Sequence, residues 1–360
     1  MSNEDKALMD IARSCESFKL SINEWKVLYY ATNSSTVSRI SEQAKLPYST
    51  VIDVIKRLLR NNITMHFVPN LSMLGLKYVF LLFSGPPSPT YPPYTLRVYR
   101  LLGKQIYPGV TGSYTGVLGL VPESHIPSYL KNFGCKPEFL VVGDEYKHWT
   151  PTGRLTRYDA ALGIIVPNPE PLDEVILASM GPIVKWNKKW VDWIDLLIVY
   201  FKMKYAYTKL SEIHGSIRKV FGVEPPSRQL MSYHYRTHVS TLWSYNSIGY
   251  KLSQTLVPEK VYLFKGPHSK VIARTLTEAP SFYEALYNEE AGVVFSQPPS
   301  YIGPFFYTAL SRSNVELPVG ELLVESSRSL EWLSQEAVRY YKENNEWMDP
   351  SLQSERKQVN

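Results

Sequence analysis

Cysteine is nearly absent from this 360-residue chain. Only Cys15 and Cys135 occur, too few for a disulfide framework or a thiolate metal cage, so two reduced, partly buried thiols are expected. No run approaches the roughly 18 consecutive apolar residues that a membrane helix needs. The opening MSNEDKALMD carries acids where a secretory signal would carry a basic and then an apolar segment, and a cytoplasmic protein is expected. Catalytic signatures are missing too: no Ser-His-Asp, Cys-His or paired-carboxylate pattern stands out. Gly112 to Gly119, GSYTGVLG, lacks the Lys-Ser/Thr end of a phosphate loop and opens no helix as a G-x-G-x-x-G. A turn with close packing accounts for it, and no cofactor is expected. His234 and His238 stand four apart on one helix face, but no nearby Glu or Cys supplies a third ligand and H-E-x-x-H is absent. Packing or phosphate contact is the reading there, and no metal is expected.

What is present is a globular composition, 44% hydrophobic and 20% charged, with 26 Tyr. This length calls for two or more domains. The net charge of +6 is unevenly spread. Residues 19–67 hold seven Lys or Arg against three acids, a net +4, and residues 185–251 hold eleven against four, a net +7, leaving −5 elsewhere. Both basic segments carry helix-turn-helix patterning, where a phosphate-binding footprint would lie.

In the first segment, Ser21 is placed to cap a helix from Ile22, and Ser35 a second over Thr36 to Ala44. Pro47 fixes the start of a third near Tyr48, because proline is tolerated only before or within a first helical turn. In LPYSTVIDVIKRLLRN, residues 46–61, Val51, Ile55, Leu58 and Leu59 recur at helical spacing. The outward face is that of a recognition helix in a winged helix-turn-helix. The expected DNA contacts are Arg39, Tyr48, Ser49, Thr50, Lys56, Arg57 and Arg60, with His66 in a wing near the backbone or minor groove. Beyond it a strand at 76–87, a helix at 94–102, strands at 105–111 and 114–121, a helix at 126–133 and a strand at 138–143 make a β-α-β-β-α-β plan. Prolines interrupt 151–188, which reads as a connector.

The second half reads as a divergent repeat. Helices are expected at 193–204, 209–221 and 227–243, the last exposing Arg228, Gln229, Ser232 and Arg236, with Arg and Gln suited to bidentate readout of guanine and adenine. Gly85-Pro86 is matched by Gly266-Pro267, and Ser113-Tyr114-Thr115-Gly116 by Ser300-Tyr301-Ile302-Gly303. The second match puts Tyr114, Gly116, Tyr301 and Gly303 forward as an effector site, a shared structural turn being the simpler account. The fold class expected is α+β, with two winged helix-turn-helix domains alternating with two ferredoxin-like modules. The division is 1–70, 71–150, a connector at 151–188, 189–256, 257–326, and a C-terminal helix (327–346) with a polar tail in 327–360. A further helix is expected at 6–17.

AKLPYSTVIDVIKRLLRNNI, residues 44–63, followed by the β-α-β-β-α-β order, resembles the leucine-responsive (Lrp/AsnC) family of archaeal and bacterial regulators. Pro47 stands where that family usually has a capping Ser or Thr, and Asn62 where a Gly is usual. The resemblance covers residues 20–145 and, more loosely, 190–325; the tandem arrangement departs from the family's single unit. It implies binding of double-stranded DNA as a dimer or larger assembly, and often a small-molecule effector between sensor domains. Siroheme decarboxylases share the plan and handle a tetrapyrrole carboxylate with histidines and basic side chains, which invites comparison with His234, Arg236 and His238. Those residues fall in an expected recognition helix and not in the sheet. The function expected is therefore a sequence-specific DNA-binding transcription regulator of archaeal type and not an enzyme. A siroheme-decarboxylase-like enzyme and a protein-binding adaptor are the alternatives.

Overall fold

The computed structural model describes residues 19–85, 91–104, 111–184, 186–252, 254 and 257–351. The helix expected at 6–17, residues 105–110 of an expected strand and the tail beyond 351 lie outside them. Three helices come first: α1 Ile22–Ala31, α2 Val37–Ala44 and α3 Tyr48–Arg60. A capping box opens α1, Ser21 Oγ accepting the Glu24 N–H while the Glu24 carboxylate accepts the Ser21 N–H, so two orphan donors are satisfied together. The cap of α2 is Thr36 and not Ser35, because the Thr36 hydroxyl is the one that accepts the Arg39 N–H. Pro47 precedes α3 as expected. Val51, Ile55 and Leu58 join Val27, Leu28 and Ile40 in the core, and so hold α3 on its two predecessors.

Then follow β1 Thr64–Pro69, β2 Leu76–Ser84, β3 Thr95–Lys104, β4 Thr111–Pro122, α4 Ile126–Lys131, β5 Phe139–Val142 and β6 Glu145–His148. Residues 95–104 are thus strand where a helix was expected. A short apolar run fits both periods, and TLRVYRLLGK is decided by pairing on both edges, with β4 and β13 (below). Tyr99 and Leu101 are fully buried on one face, while Arg100 and Leu102 are exposed on the other.

The proline-interrupted connector folds into a hairpin, β7 Thr156–Asp159 and β8 Ile164–Pro167, and a helix, α5 Leu172–Ser179. The second half opens on α6 Trp193–Lys204, α7 Leu210–Phe221 and α8 Arg228–His234. A π turn, Tyr235–Val239, carries α8 into α9 Ser240–Leu242, and Trp243 already begins β9 Trp243–Gly249. Last come β10 Lys260–Lys265, α10 Ser269–Leu276, β11 Phe282–Tyr287, β12 Ala291–Ser296, α11 Gly303–Ser313, β13 Glu321–Ser329 and α12 Gln335–Asn344. The helix expected over 327–346 is strand as far as Ser329 and starts only after Ser334, whose hydroxyl caps it. Among the described residues no helix is long and apolar enough to cross a membrane.

Nine strands form one sheet in the order β5-β2-β4-β3-β13-β10-β12-β11-β6. The second half has the full β-α-β-β-α-β order, and the first matches it without a described helix between β2 and β3. In both halves the strands lie side by side as last, first, third, second. Gly143 donates its N–H to Tyr78 O at 2.9 Å and the next residue, Asp144, donates to Tyr287 O at 3.0 Å. The chain therefore passes from the first half's sheet to the second's between β5 and β6. β13 makes the same passage, Leu323 pairing with Lys260 and Ser326 with Arg100. Because β5 and β6 are nearly continuous, the two ends of the sheet meet and it curls around a core of Phe80, Tyr99 and Phe295.

Gly85 and Gly266 close the first strands of the two halves, both at positive φ, 92° and 107°, where a side chain would be strained. That sequence match is structural. The other is not: residues 113–116 lie in β4, whereas 300–303 form a 3-10 turn leading into α11.

Candidate functional site

β1 and β9 pair as an antiparallel two-stranded ribbon, with His66 opposite Ser247. Each strand follows the third helix of its own half and fastens onto the first helix of the other. Asn246, wholly buried, donates both Nδ2 hydrogens to Ala31 O and Ser34 O at 2.8 Å, beyond the end of α1. His66 Nδ1 donates to Met203 O of α6 at 3.0 Å, which leaves Nε2 to accept the Thr64 hydroxyl at 2.7 Å. His66 also stacks on Trp332, ring centroids 4.6 Å apart. It is therefore turned inward and not toward a duplex, and burial lowers its pKa.

Beneath the ribbon, against the sheet, is a cavity of about 770 Å³. The ribbon contributes His66, Tyr245 and Ser247, and the sheet contributes Tyr78, Arg97, Tyr146, His148 and Glu284. Strand alternation explains the convergence: Arg97 on β3 and Glu284 on β11 face the same side from opposite halves. Arg97 Nη1 lies 3.4 Å from Glu284 Oε2 and 2.9 Å from the Tyr99 hydroxyl, and the Tyr146 hydroxyl also donates to Glu284. Tyr146 stacks on Tyr78 at 3.9 Å and meets the His148 ring edge-on at 4.8 Å. The His148 N–H donates to the Tyr245 hydroxyl at 3.0 Å.

Low dielectric sets the protonation states. Burial would raise Glu284, but the Arg97 guanidinium, His148, Lys251 and the Tyr146 hydroxyl together hold it at about 2. Burial pushes His148 down to about 4 against the pull of Glu284. Burial and the Glu284 charge keep the Tyr146 phenol protonated. The floor thus offers a carboxylate, a guanidinium, a phenol and a neutral imidazole inside a space of ligand size.

The expected DNA-contacting residues have two destinations. Tyr48, Ser49, Lys56 and Arg60 lie along one exposed face of α3, with Arg39 exposed on α2 and Thr50 partly buried. Arg57, half exposed, is tied to α1, its Nε donating to Glu24 at 2.6 Å. Arg228, Gln229 and Arg236 are exposed on α8 and the π turn, with Ser232 partly buried; Arg236 Nε donates to Ser232 O at 3.3 Å. Tyr114, Gly116 and Gly303 are not among the described residues that line the cavity. Tyr114 is buried in β4 and donates its hydroxyl to Lys104 O at 3.0 Å. Gly116 packs against Leu101 and Phe80 so closely that a Cβ would stand 3.0 Å from Leu101. Tyr301 lies in the turn before α11, and Gly303 is that helix's first residue.

Arg97, Tyr146, His148, Tyr245 and Glu284 carried no sequence signal. They come from four strands far apart in sequence, Arg97 on β3, Tyr146 and His148 on β6, Tyr245 on β9 and Glu284 on β11, and only the crossing of β6 and β13 between halves assembles them. A second cluster was half visible. The pair His234 and His238 does find a third group, Asp195 of α6, 39 and 43 residues upstream.

No protein-family model matches this chain, and neither does any curated protein sequence. Among solved structures, that of the siroheme decarboxylase NirDL in co-complex with an iron-uroporphyrin III analogue overlaps 88% of this chain and 97% of its own, at 9% identity and a TM-score of 0.39. A likeness at that level transfers neither activity nor ligand.

Proposed function

We propose that this chain is a DNA-binding transcription regulator whose cavity takes a small-molecule effector. Residues 19–70 and 189–256 act as two winged helix-turn-helix units, and 71–150 and 257–326 as two ferredoxin-like units, so one chain supplies what a dimer of single units would. The observation that carries this reading is the exposed face of α3, where Tyr48, Ser49, Lys56 and Arg60 stand outward while the opposite face is fixed on α1 and α2. A helix so held offers its N-terminal turn to base edges and its later basic residues to phosphate. The ribbon of β1 and β9 both joins the two helical units and roofs the cavity. A bound ligand touching it would bias how the two recognition helices stand.

The test is selection of bound fragments from genomic DNA, followed by gel shift over a salt series. A regulator loses affinity steeply as salt rises, through counterion release. An absence of binding at low salt would leave the adaptor reading instead.

A second reading rests on the cavity floor. Carboxylate, imidazole and phenol with displaced protonation equilibria in one cavity also suit an enzyme, the class raised by the siroheme decarboxylase comparison in the sequence. Purified protein that carries a coloured, extractable tetrapyrrole would favour it over the regulator.

A further inference from the structure

Glu24 and Asp195 hold the same place in the two halves. Each is the third residue of its half's first helix, and each closes a capping box, with Ser21 and Asp192 respectively. Both carboxylates also fasten the third helix of their half. In the first half the partner is the Arg57 guanidinium, a permanent cation. In the second the partners are two imidazoles: Asp195 Oδ1 lies 3.0 Å from His234 Nδ1, and Oδ2 lies 3.1 Å from His238 Nδ1. Asp195 is fully buried, and among the described residues no Lys or Arg pairs with it. A buried carboxylate is costly unless it is compensated, and here the Asp192 N–H at 3.0 Å and the two imidazoles stand where the first half has a guanidinium.

We propose that Asp195, His234 and His238 bind a divalent transition-metal ion of the zinc class, which takes the place that Arg57 fills in the first half. The donor set suits such an ion, two imidazole nitrogens and one carboxylate oxygen, all within 4.8 Å of one another. Each imidazole Nδ1 stands about as far from its own carboxylate oxygen, 3.0 Å to Oδ1 and 3.1 Å to Oδ2, as the roughly 3.3 Å ligand–ligand edge of a tetrahedron with bonds of about 2.0 Å, so a modest turn of the carboxylate brings one oxygen to both. Proton balance is simple. On binding, each histidine turns an Nδ1 lone pair to the metal; the hydrogen that Nδ1 gave Asp195 moves to Nε2, and any further proton leaves to solvent. The π turn Tyr235–Val239 begins just after His234 and contains His238, and the two rings stand at 85° and 5.1 Å to each other; π turns within helices often mark functional sites. His238 keeps a quarter of its side chain exposed, so a water molecule can reach the fourth position. The bound ion would staple α8 to α6, and only the step from there to Arg228 and Arg236 at a DNA surface rests on the regulator reading.

The test uses tag-free, full-length protein dialysed against a chelator and titrated with Co²⁺, then Zn²⁺. The expected result is one Co²⁺ per chain with the intense visible bands of a four-coordinate site, displaced by one Zn²⁺. His238→Gln, partly exposed and so tolerated by the fold, should weaken binding by more than about tenfold, the least that losing even a supporting group of a metal site tends to cost. Its circular dichroism without metal should match wild type. Asp195→Asn should abolish the bands. If wild type takes up no stoichiometric Co²⁺, or if His238→Gln binds as tightly as wild type, the proposal is overturned and the cluster is a hydrogen-bonded tie alone. DNA plays no part in the assay, so failure of the regulator reading leaves its result standing.

Discussion

Arg97 of β3 and Glu284 of β11, 187 residues apart, meet at 3.4 Å on the cavity floor with side chains only 16% and 13% exposed. One ion pair thus joins the two halves where the sheet closes. Removing one partner of such a pair strands the other charge, at about 3–5 kcal/mol. Arg97→Met should lower the urea-unfolding free energy by that amount, and adding Glu284→Gln should recover part of it. If the double variant is no more stable than the single, the pair is not the source of the loss.

Acid should destabilise the protein in two stages. His148 sits at about 4 in the fold against an ordinary 6.5, so between those values the unfolded chain binds a proton that the folded chain refuses. Stability is therefore complete above about 6.5 and is lost as pH falls toward about 4, by at most about 3 kcal/mol at about 1.4 kcal/mol per pKa unit. Glu284, held at about 2, adds stability above its ordinary value of about 4.3 that is lost as pH falls toward about 2. Urea midpoints at pH 7 and pH 4.5 should differ less in His148→Gln than in wild type. An equal difference would place the sensitive group elsewhere.

Asn246 and Tyr207 both donate to the Ala31 and Ser34 carbonyls, Tyr207 at 3.1 and 3.0 Å. With Asn246 gone, the single Tyr207 hydroxyl hydrogen still lies within reach of both carbonyls; with Tyr207 gone, the two Asn246 hydrogens still serve one each. Asn246→Ala should cost about 2 kcal/mol, within the range for lost buried hydrogen bonds. Asn246→Ala with Tyr207→Phe should cost more than the sum of the singles, because only then are the carbonyls left without their side-chain donors. Additive losses in a double-mutant cycle would refute the shared tie.

The helices of the first half were legible because their signals are local: Ser21 just before Ile22, Pro47 at the head of α3, Val51 and Leu58 two turns apart. The Gly85 and Gly266 match was legible because positive φ selects glycine at both. β3 was misread because its apolar residues satisfy both periods, and only its neighbours on the sheet decide between them. Asp195 was hidden in its own capping box, a role that explains the residue locally and conceals its tie to His234 and His238. The cavity residues were illegible for a topological reason. Strands that cross between halves bring β3, β6 and β11 together, and nothing in local spacing records a crossing.

Arg57 separates two roles that the sequence placed on one helix. Lys56 and Arg60 are exposed on α3, whereas the Arg57 Nε is held by Glu24 at 2.6 Å, with the Glu24 side chain only 8% exposed. If α3 reads DNA, Lys56→Ala with Arg60→Ala should leave thermal stability nearly unchanged. It should also reduce the slope of log affinity against log salt by about 1.8, since each phosphate contact contributes about 0.9. Arg57→Ala should do the reverse, keeping the slope and losing on the order of 1 kcal/mol of stability, because the pair is half open to solvent. Gel shifts at four salt concentrations, beside thermal melts of the same preparations, distinguish the outcomes. A slope that falls for Arg57→Ala and holds for the double variant would move the phosphate contact off the exposed face and onto the residue that the fold has tied to α1.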